Sequence, residues 1–369
     1  MKFNKVLITG SNGFIGKNLC HNEFINKNYK ILKFVKSSNQ DKLENCVKNS
    51  DLIIHLAGEN RPKTKEKFYE NNYQLTRNIC DILIRNGLNK PIIFASTIHV
   101  KSNTDYGKTK LLAEKELENL SKKNGNPVSI IRLPGVFGKW SKPNYNSVVS
   151  TFCYNIANNK TSHISDKNFE VSLIYIDDVI EIICNIIKKK QKDCHIINCN
   201  KNIHKIKLGQ LYGKIEKFNQ ARINLNPINI VRGFNKKLYA TFVSYLPSSK
   251  ITYKLFEHED KRGKFFELFK EKNGSQISLF TSNAGFKRGG HYHNTKVEKF
   301  LVISGKANFI FKDINTNKKF EFILEENDYK IVESLPGYWH EIDNLAEKEL
   351  KVLVWSNEVF NKKKDDTYR

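Results

Sequence analysis

Val6-Leu7-Ile8-Thr9-Gly10-Ser11-Asn12-Gly13-Phe14-Ile15-Gly16 decides the fold of the first two thirds of the chain. A short apolar run leads into glycines at the first, fourth and seventh positions of a turn, and an amphipathic stretch follows. Glycines let such a turn tighten and let backbone N–H groups approach a pyrophosphate. They also let the next helix pack on the strand with its positive end toward the anion. An ordinary strand-to-helix turn is the bland alternative, and the surrounding pattern argues against it. Short β-branched runs at Lys5–Thr9, Lys30–Val35, Asp51–Leu56, Pro91–Ala95 and Val128–Leu133 alternate with helical segments. That alternation predicts an α/β unit with a doubly wound parallel sheet and a dinucleotide at the glycine turn.

The end of the second strand reads Phe34-Val35-Lys36-Ser37-Ser38, with no carboxylate to accept a ribose hydroxyl. Basic and hydroxyl side chains there suit a 2′-phosphate, so NADPH is the expected cofactor, with Lys36 and Ser37 beside it. Lys33 and Lys36 could equally be solvated surface lysines. Tyr106 and Lys110 stand one helical turn apart and share a face. An ammonium beside a phenol lowers its pKa and can hold the nicotinamide ribose, so Tyr106 is the expected acid when a hydride reaches a carbonyl. Ser96 and Thr97, at the end of the preceding strand, offer hydroxyls to that carbonyl.

Beyond Thr241 the helical periodicity stops. Leu246-Pro247-Ser248-Ser249 is a turn-rich break, and the runs Gln276–Thr281, Glu298–Ile303, Ala307–Phe311, Lys319–Leu324 and Leu350–Trp355 are short strands between turns. We therefore expect a first domain over 1–243, a linker over 244–251 and an all-β barrel or jelly roll over 252–369. Within the last, His291-Tyr292-His293-x4-Glu298 is followed by Tyr338-Trp339-His340. Alternation along a strand points His291 and His293 to one side. With Glu298 and His340 they make an N/O set suited to a divalent Zn, Mn, Fe or Ni, zinc foremost.

The first 240 or so residues resemble the extended short-chain dehydrogenase/reductases, a Rossmann-like family that commonly acts on nucleotide sugars. The likeness runs through the glycine turn, His55-Leu56-Ala57-Gly58, Asn72, Tyr106/Lys110, Arg132-Leu133-Pro134-Gly135-Val136-Phe137-Gly138 and Tyr175-Ile176-Asp177-Asp178-Val179. It implies a dinucleotide held by Gly10, Asn12, Gly13, Phe14, Ile15, Gly16, Lys36, Ser37, Leu56, Ala57, Tyr106 and Lys110. It also implies a catalytic hydroxyl at Thr97, with Ser96 as the alternate. The stretch Lys101–Asp105 is shorter than that family's usual one.

The histidine segments resemble the two motifs of the cupin superfamily, although Pro336-Gly337 and Asn327-Asp328 depart from the second. Phe256–Phe266 is similar to the opening strand of sugar-nucleotide epimerases such as dTDP-4-dehydrorhamnose 3,5-epimerase. The whole chain resembles the bifunctional epimerase/reductases of capsule pathways. That resemblance implies C3 epimerisation of a UDP-linked 4-keto-6-deoxy-HexNAc in the cupin and NADPH reduction at C4 in the first domain. The product would be UDP-2-acetamido-2,6-dideoxy-L-talose, on the way to UDP-N-acetyl-L-fucosamine. Lys296 is the first candidate for the epimerisation base and Tyr338 the second; a cupin serving only as a binding or assembly module is the alternative. Both kinds of domain commonly associate, so a homo-oligomer is expected.

The formal charge of +24 raises nucleic acid as a partner, but lysine is spread along the whole chain with abundant Asn and Ile rather than focused in a patch. Neither nucleic acid nor membrane is expected. No apolar run nears the roughly 20 residues of a membrane span. Seven irregularly spaced cysteines without a C-x-x-C pair fit buried thiols in a reducing compartment, and the expected location is cytoplasmic. The charged tail Asn361–Arg369 is expected to fray.

Overall fold

The computed structural model describes residues 5–62, 64–190, 192–225, 228–271, 274–360 and 366–369. Two units result: 1–216 with 231–247, and 217–230 with 248–369.

In the first unit, β1 (Lys5–Thr9), β2 (Lys30–Phe34), β3 (Leu52–His55), β4 (Ile92–Thr97), β5 (Val128–Leu133), β6 (Gly135–Phe137), β7 (Glu170–Tyr175), β8 (His195–Asn198) and β9 (His204–Lys207) form two sheets. The larger has the order β2-β1-β3-β4-β5-β8, and every pairing in it is parallel. A parallel sheet is covered on both faces, which is why its strands read as continuous apolar runs. In β1, Val6 and Ile8 enter one core with Leu19, Ile174 and Ile183, while Leu7 enters the opposite core with Leu43, Ile79 and Leu117. Each such fully buried side chain contributes on the order of 1.5–3 kcal/mol. The Rossmann-like doubly wound sheet is thus present. A small separate sheet, β6-β7-β9, accompanies it, and the sequence pattern did not announce it.

The second unit contains β10 (Glu257–Asp260), β11 (Gly263–Lys270), β12 (Gln276–Ser282), β13 (Lys287–His291), β14 (Glu298–Ser304), β15 (Lys306–Asp313), β16 (Lys319–Glu325), β17 (Val332–Glu333), β18 (Tyr338–Asn344) and β19 (Leu350–Ser356). They pair antiparallel in two sheets, β10-β11-β12-β19-β14-β17 and β13-β18-β15-β16. Period-two alternation builds the core: Ala307, Phe309 and Phe311 of β15 meet Phe300, Ile342 and Val352. This is the all-β jelly-roll architecture expected of a cupin.

One expectation is corrected here. Residues 361–365 of the tail lie outside the described residues, but 366–368 do not fray: Tyr368 and Tyr292 exchange backbone hydrogen bonds of 2.8 and 3.0 Å. Among the described residues, no helix is long and apolar enough to cross a membrane.

Candidate active sites

In the first unit the glycine turn is shaped by close approach. Gly10 has φ +67°, and a Cβ on it would lie 2.9 Å from the backbone of Ala57. A Cβ on Gly16 would lie 2.2 Å from the Gly10 carbonyl oxygen, so only glycine lets the helix Phe14–Cys20 start this close to the turn. Asn12 and Gly13 are exposed at its crest, and Gly13 caps that helix without a side-chain bond. The first N–H groups are therefore left for an anion. Ser11 Oγ is buried without a hydrogen-bond partner among the described residues. Such a cradle fits a dinucleotide pyrophosphate.

A chain of hydrogen bonds fixes the neighbouring strand end. Thr9 Oγ1 accepts from the N–H groups of Leu56 and Ala57, both at 3.2 Å, and donates to His55 Nδ1 at 2.7 Å. His55 Nε2 donates to Thr76 Oγ1 at 2.9 Å, and that hydroxyl donates to the Asn72 carbonyl at 3.0 Å. The imidazole is thereby held neutral, and burial, then the Lys110 charge, push its pKa down to about 3. Asn72 sits in the π-helical turn Tyr69–Gln74, and its amide bonds both the N–H and the carbonyl of Glu59. Its visible role is to hold the loop after β3.

The Lys110 ammonium lies 4.0 Å from the Phe94 ring centroid, and Lys110 is 3% exposed. Burial lowers its pKa to about 7 against the pull of Glu114. Tyr106 is moved up to about 12 by burial. The lowering expected from the ammonium is absent, because burial is the cause that sets the phenol's proton affinity.

Ser96, the alternate hydroxyl, is committed to Glu114, which also takes Arg132 through two hydrogen bonds of 2.6 and 3.1 Å. Thr97 is buried and accepts from the His99 N–H at 3.2 Å. The turn Ile98–Lys101 leads almost directly to the helix Asp105–Asn124. This short connection is possible because Gly107 packs on the turn: a Cβ there would lie 2.4 Å from the His99 carbonyl oxygen.

At the other end, Gly10 N–H donates to Phe34 O at 2.9 Å, so Lys36 and Ser37 follow directly from the strand end beside the turn. Both are exposed, and Lys36 pairs with Glu59 at 3.2 Å. Asp177 and Asp178 lie in the first turn of the helix Ile176–Lys189 and pair with Lys139 and Lys237.

In the second unit, His291, His293, Glu298 and His340 offer ligand atoms that all lie within 4.8 Å of one another. β13 delivers His291, the following loop His293, β14 Glu298 and β18 His340. Glu298 Oε2 is 3.2 Å from His293 Nε2 and 3.5 Å from His340 Nε2. His293 Nδ1 donates to the Asp366 carbonyl and His340 Nδ1 to the Tyr338 carbonyl, so both Nε2 atoms face inward.

Burial and the two other histidines lower His291 to about 4. For Glu298, hydrogen bonds from His293 and His340 overcome burial and hold the carboxyl well below its usual range. For His293, burial is likewise outweighed, here by Glu298 and the Asp366 carbonyl, and its pKa is raised. Three nitrogens and a carboxylate arranged in this way fit a divalent transition metal. Lys296 is buried with its ammonium 3.6 Å from Glu298 Oε1. Tyr338 packs on Phe320 and stands opposite Asp313 in the β15–β18 register.

The sequence pattern of the NAD dependent epimerase/dehydratase family matches residues 6–199. The chain belongs to this family. Membership implies a nicotinamide cofactor. In this family member, residues 258–368 further match the polysaccharide biosynthesis C-terminal domain. The chain is 38% identical over 364 residues, 99% of its own length and 98% of the relative's, to UDP-2-acetamido-2,6-beta-L-arabino-hexul-4-ose reductase of Pseudomonas aeruginosa. It is CapF-like throughout: the crystal structure of the capsular polysaccharide assembling protein CapF from Staphylococcus aureus superposes with a TM-score of 0.89 at 35% identity, covering 99% of both chains. UDP-glucuronic acid 4-epimerase from Bacillus cereus, at 18% identity, covers 65% of this chain and 96% of its own, with a TM-score of 0.56, a likeness of fold alone.

Two groups in this family member were not picked out from the sequence. Glu114 is one, and an i, i+4 relation to Lys110 was the available signal. Asp366 is the other, and a lone acid in a charged tail carries none.

Proposed function

We propose that this chain epimerises C3 of a UDP-linked 4-keto-6-deoxy-HexNAc in its second unit. Its first unit then reduces the C4 ketone with NADPH to UDP-2-acetamido-2,6-dideoxy-L-talose, a step toward UDP-N-acetyl-L-fucosamine for capsular polysaccharide. The observation that carries this reading is the convergence of His291, His293, Glu298 and His340 in a chain that also holds the glycine turn with Tyr106 and Lys110. The full-length likeness to a UDP-sugar hexulose reductase and to CapF supports the substrate class.

When bound, NADPH supplies a hydride and a divalent cation supplies the Lewis acidity that makes a hydrogen next to a ketone removable. The protein's own groups do the rest. Tyr106, protonated at neutral pH, gives its proton to O4 as the carbonyl becomes an alkoxide. Thr97 hydrogen-bonds that oxygen, and Lys110 holds the ribose and Tyr106 in register. His291, His293, Glu298 and His340 hold the cation. Lys296, beside Glu298, moves the C3 proton when neutral; Tyr338 is the second candidate. Reduction at C4 removes the ketone and with it the acidity of C3, so the epimerised configuration cannot revert.

Incubation in heavy water with the UDP-linked 4-keto-6-deoxy-HexNAc, with and without NADPH, tests both halves. Deuterium should enter C3 without NADPH in the intact protein and not in His291→Ala, and NADPH should be oxidised by the intact protein. NADPH oxidation with no deuterium at C3 would leave the reductase standing and make the second unit a binding or assembly module.

A further inference from the structure

We infer that Asp366 is a positioning residue of the second unit's metal centre, acting through the His293 imidazole and the loop after it. The inference rests on reading that centre as a cation site. Two parts of one residue act in concert. The backbone carbonyl of Asp366 accepts from His293 Nδ1, which directs Nε2 toward Glu298. Its carboxylate accepts from three consecutive N–H groups, those of Asn294 at 3.1 Å, Thr295 at 2.6 Å and Lys296 at 2.9 Å, and from the Thr295 hydroxyl at 2.9 Å. Successive amides turned toward one anion form a concave nest, and bonds from N–H to a carboxylate are the strong, charge-assisted kind.

Two positions further on, Tyr368 exchanges backbone hydrogen bonds with Tyr292, and the two rings stack with centroids 5.3 Å apart. Residues 366–368 therefore grip His293 from both sides in sequence. This matters because β13 ends at His291 and β14 begins at Glu298, so His293 and Lys296 stand on the loop between two ligand-bearing strands. An imidazole whose outer nitrogen is bound is fixed in tautomer and ring orientation, and loss of such an outer partner weakens metal affinity by about 10- to 100-fold. The nest also fixes the backbone of Lys296, whose ammonium faces Glu298.

The test uses cobalt(II) added to the metal-free full chain, with wild type, Asp366→Asn, Asp366→Ala and a chain shortened to end at Asp365. Affinity is read by competition with a chelator, the ligand field by the visible cobalt absorption band, and folding by melting of the metal-free proteins. Asp366→Ala should bind cobalt about 10- to 100-fold more weakly with an altered band. Asp366→Asn, which keeps one acceptor oxygen, should recover part of the loss, and the shortened chain should be the weakest. Equal affinity and an unchanged band in all four would overturn the inference while leaving the metal site intact. So would variants that melt lower without metal but keep the wild-type band, because that is a structural role only. Failure of the wild type itself to bind cobalt would sink the metal site and the inference together.

Discussion

Replacing Lys110 by methionine should make the protein more stable while abolishing reduction. The ammonium is 3% exposed and its pKa falls from 10.5 to about 7, with burial the leading cause. At about 1.4 kcal/mol for each tenfold change in proton affinity, that fall sets a ceiling of about 5 kcal/mol on the cost of carrying the charge in the fold. The sign follows from proton counting. Between pH 7 and 10.5 the unfolded chain keeps a proton on this lysine that the folded chain has released, so this group makes stability rise with pH. Below pH 7 both states are charged and the whole cost is present; above 10.5 neither is, and it vanishes. Methionine, similar in length and apolar, carries no such cost. Urea denaturation of wild type and Lys110→Met at pH 6, 8 and 10 measures the difference. The variant should lead by about 2–5 kcal/mol at pH 6, with the lead shrinking steadily toward pH 10. A variant less stable than wild type at pH 6, or a lead independent of pH, would refute the claim that burial governs this ammonium.

Tyr106→Phe should lower kcat for reduction by about 100- to 10,000-fold with NADPH binding retained, as read by single-turnover NADPH oxidation and by a binding titration. Gly16→Ala puts a Cβ 2.2 Å from the Gly10 carbonyl oxygen; the resulting shift should cost about 1–3 kcal/mol of stability and weaken NADPH at least about tenfold, measured by melting and by fluorescence titration. Arg132→Leu takes the ion-pair partner from the buried Glu114 carboxylate and leaves it the Ser96 hydroxyl, and equilibrium denaturation should show a loss of about 3–5 kcal/mol. Exhaustive chelation should stop deuterium entry at C3 and leave unaffected the reduction of a ketone already in the epimerised configuration; loss of both activities on chelation would contradict two separate centres.

The parts of this protein that were legible in the sequence are those governed by local rules. Val6, Leu7 and Ile8 are buried on alternate faces of a parallel sheet, so their run is apolar without interruption. The glycine turn was legible because its three glycines each meet a backbone constraint. In the second unit Ala307, Phe309 and Phe311 are buried at every second position of an apolar, aromatic run, and β15 was plain. By contrast, β13 is Lys287-Arg288-Gly289-Gly290-His291, and β18 mixes Glu341, Asp343 and Asn344 with its apolar residues. Neither shows the apolar alternation of a half-buried strand, because their inward positions are given over to ligands and tight turns. Spacing alone gave the four ligand candidates. It could not give Asp366, which reaches His293 from 73 positions away through its backbone carbonyl, an atom every residue possesses. Burial at Tyr106 and Lys110 was hidden for a similar reason: the i, i+4 relation fixes a shared face, but what covers that face is decided elsewhere in the fold.

The position of β19 has a consequence for how this protein is born. It lies between β12 and β14 in the sheet, yet it is synthesised long after both. Until Leu350–Ser356 emerges, two apolar strands present open edges to anything that can pair with them, and such edges nucleate aggregates. Assembly of this unit therefore waits on one long-range insertion event, which places it among slow-folding topologies. Yield in a heterologous host should then respond to temperature and chaperone supply more than to any change at the surface of the first unit.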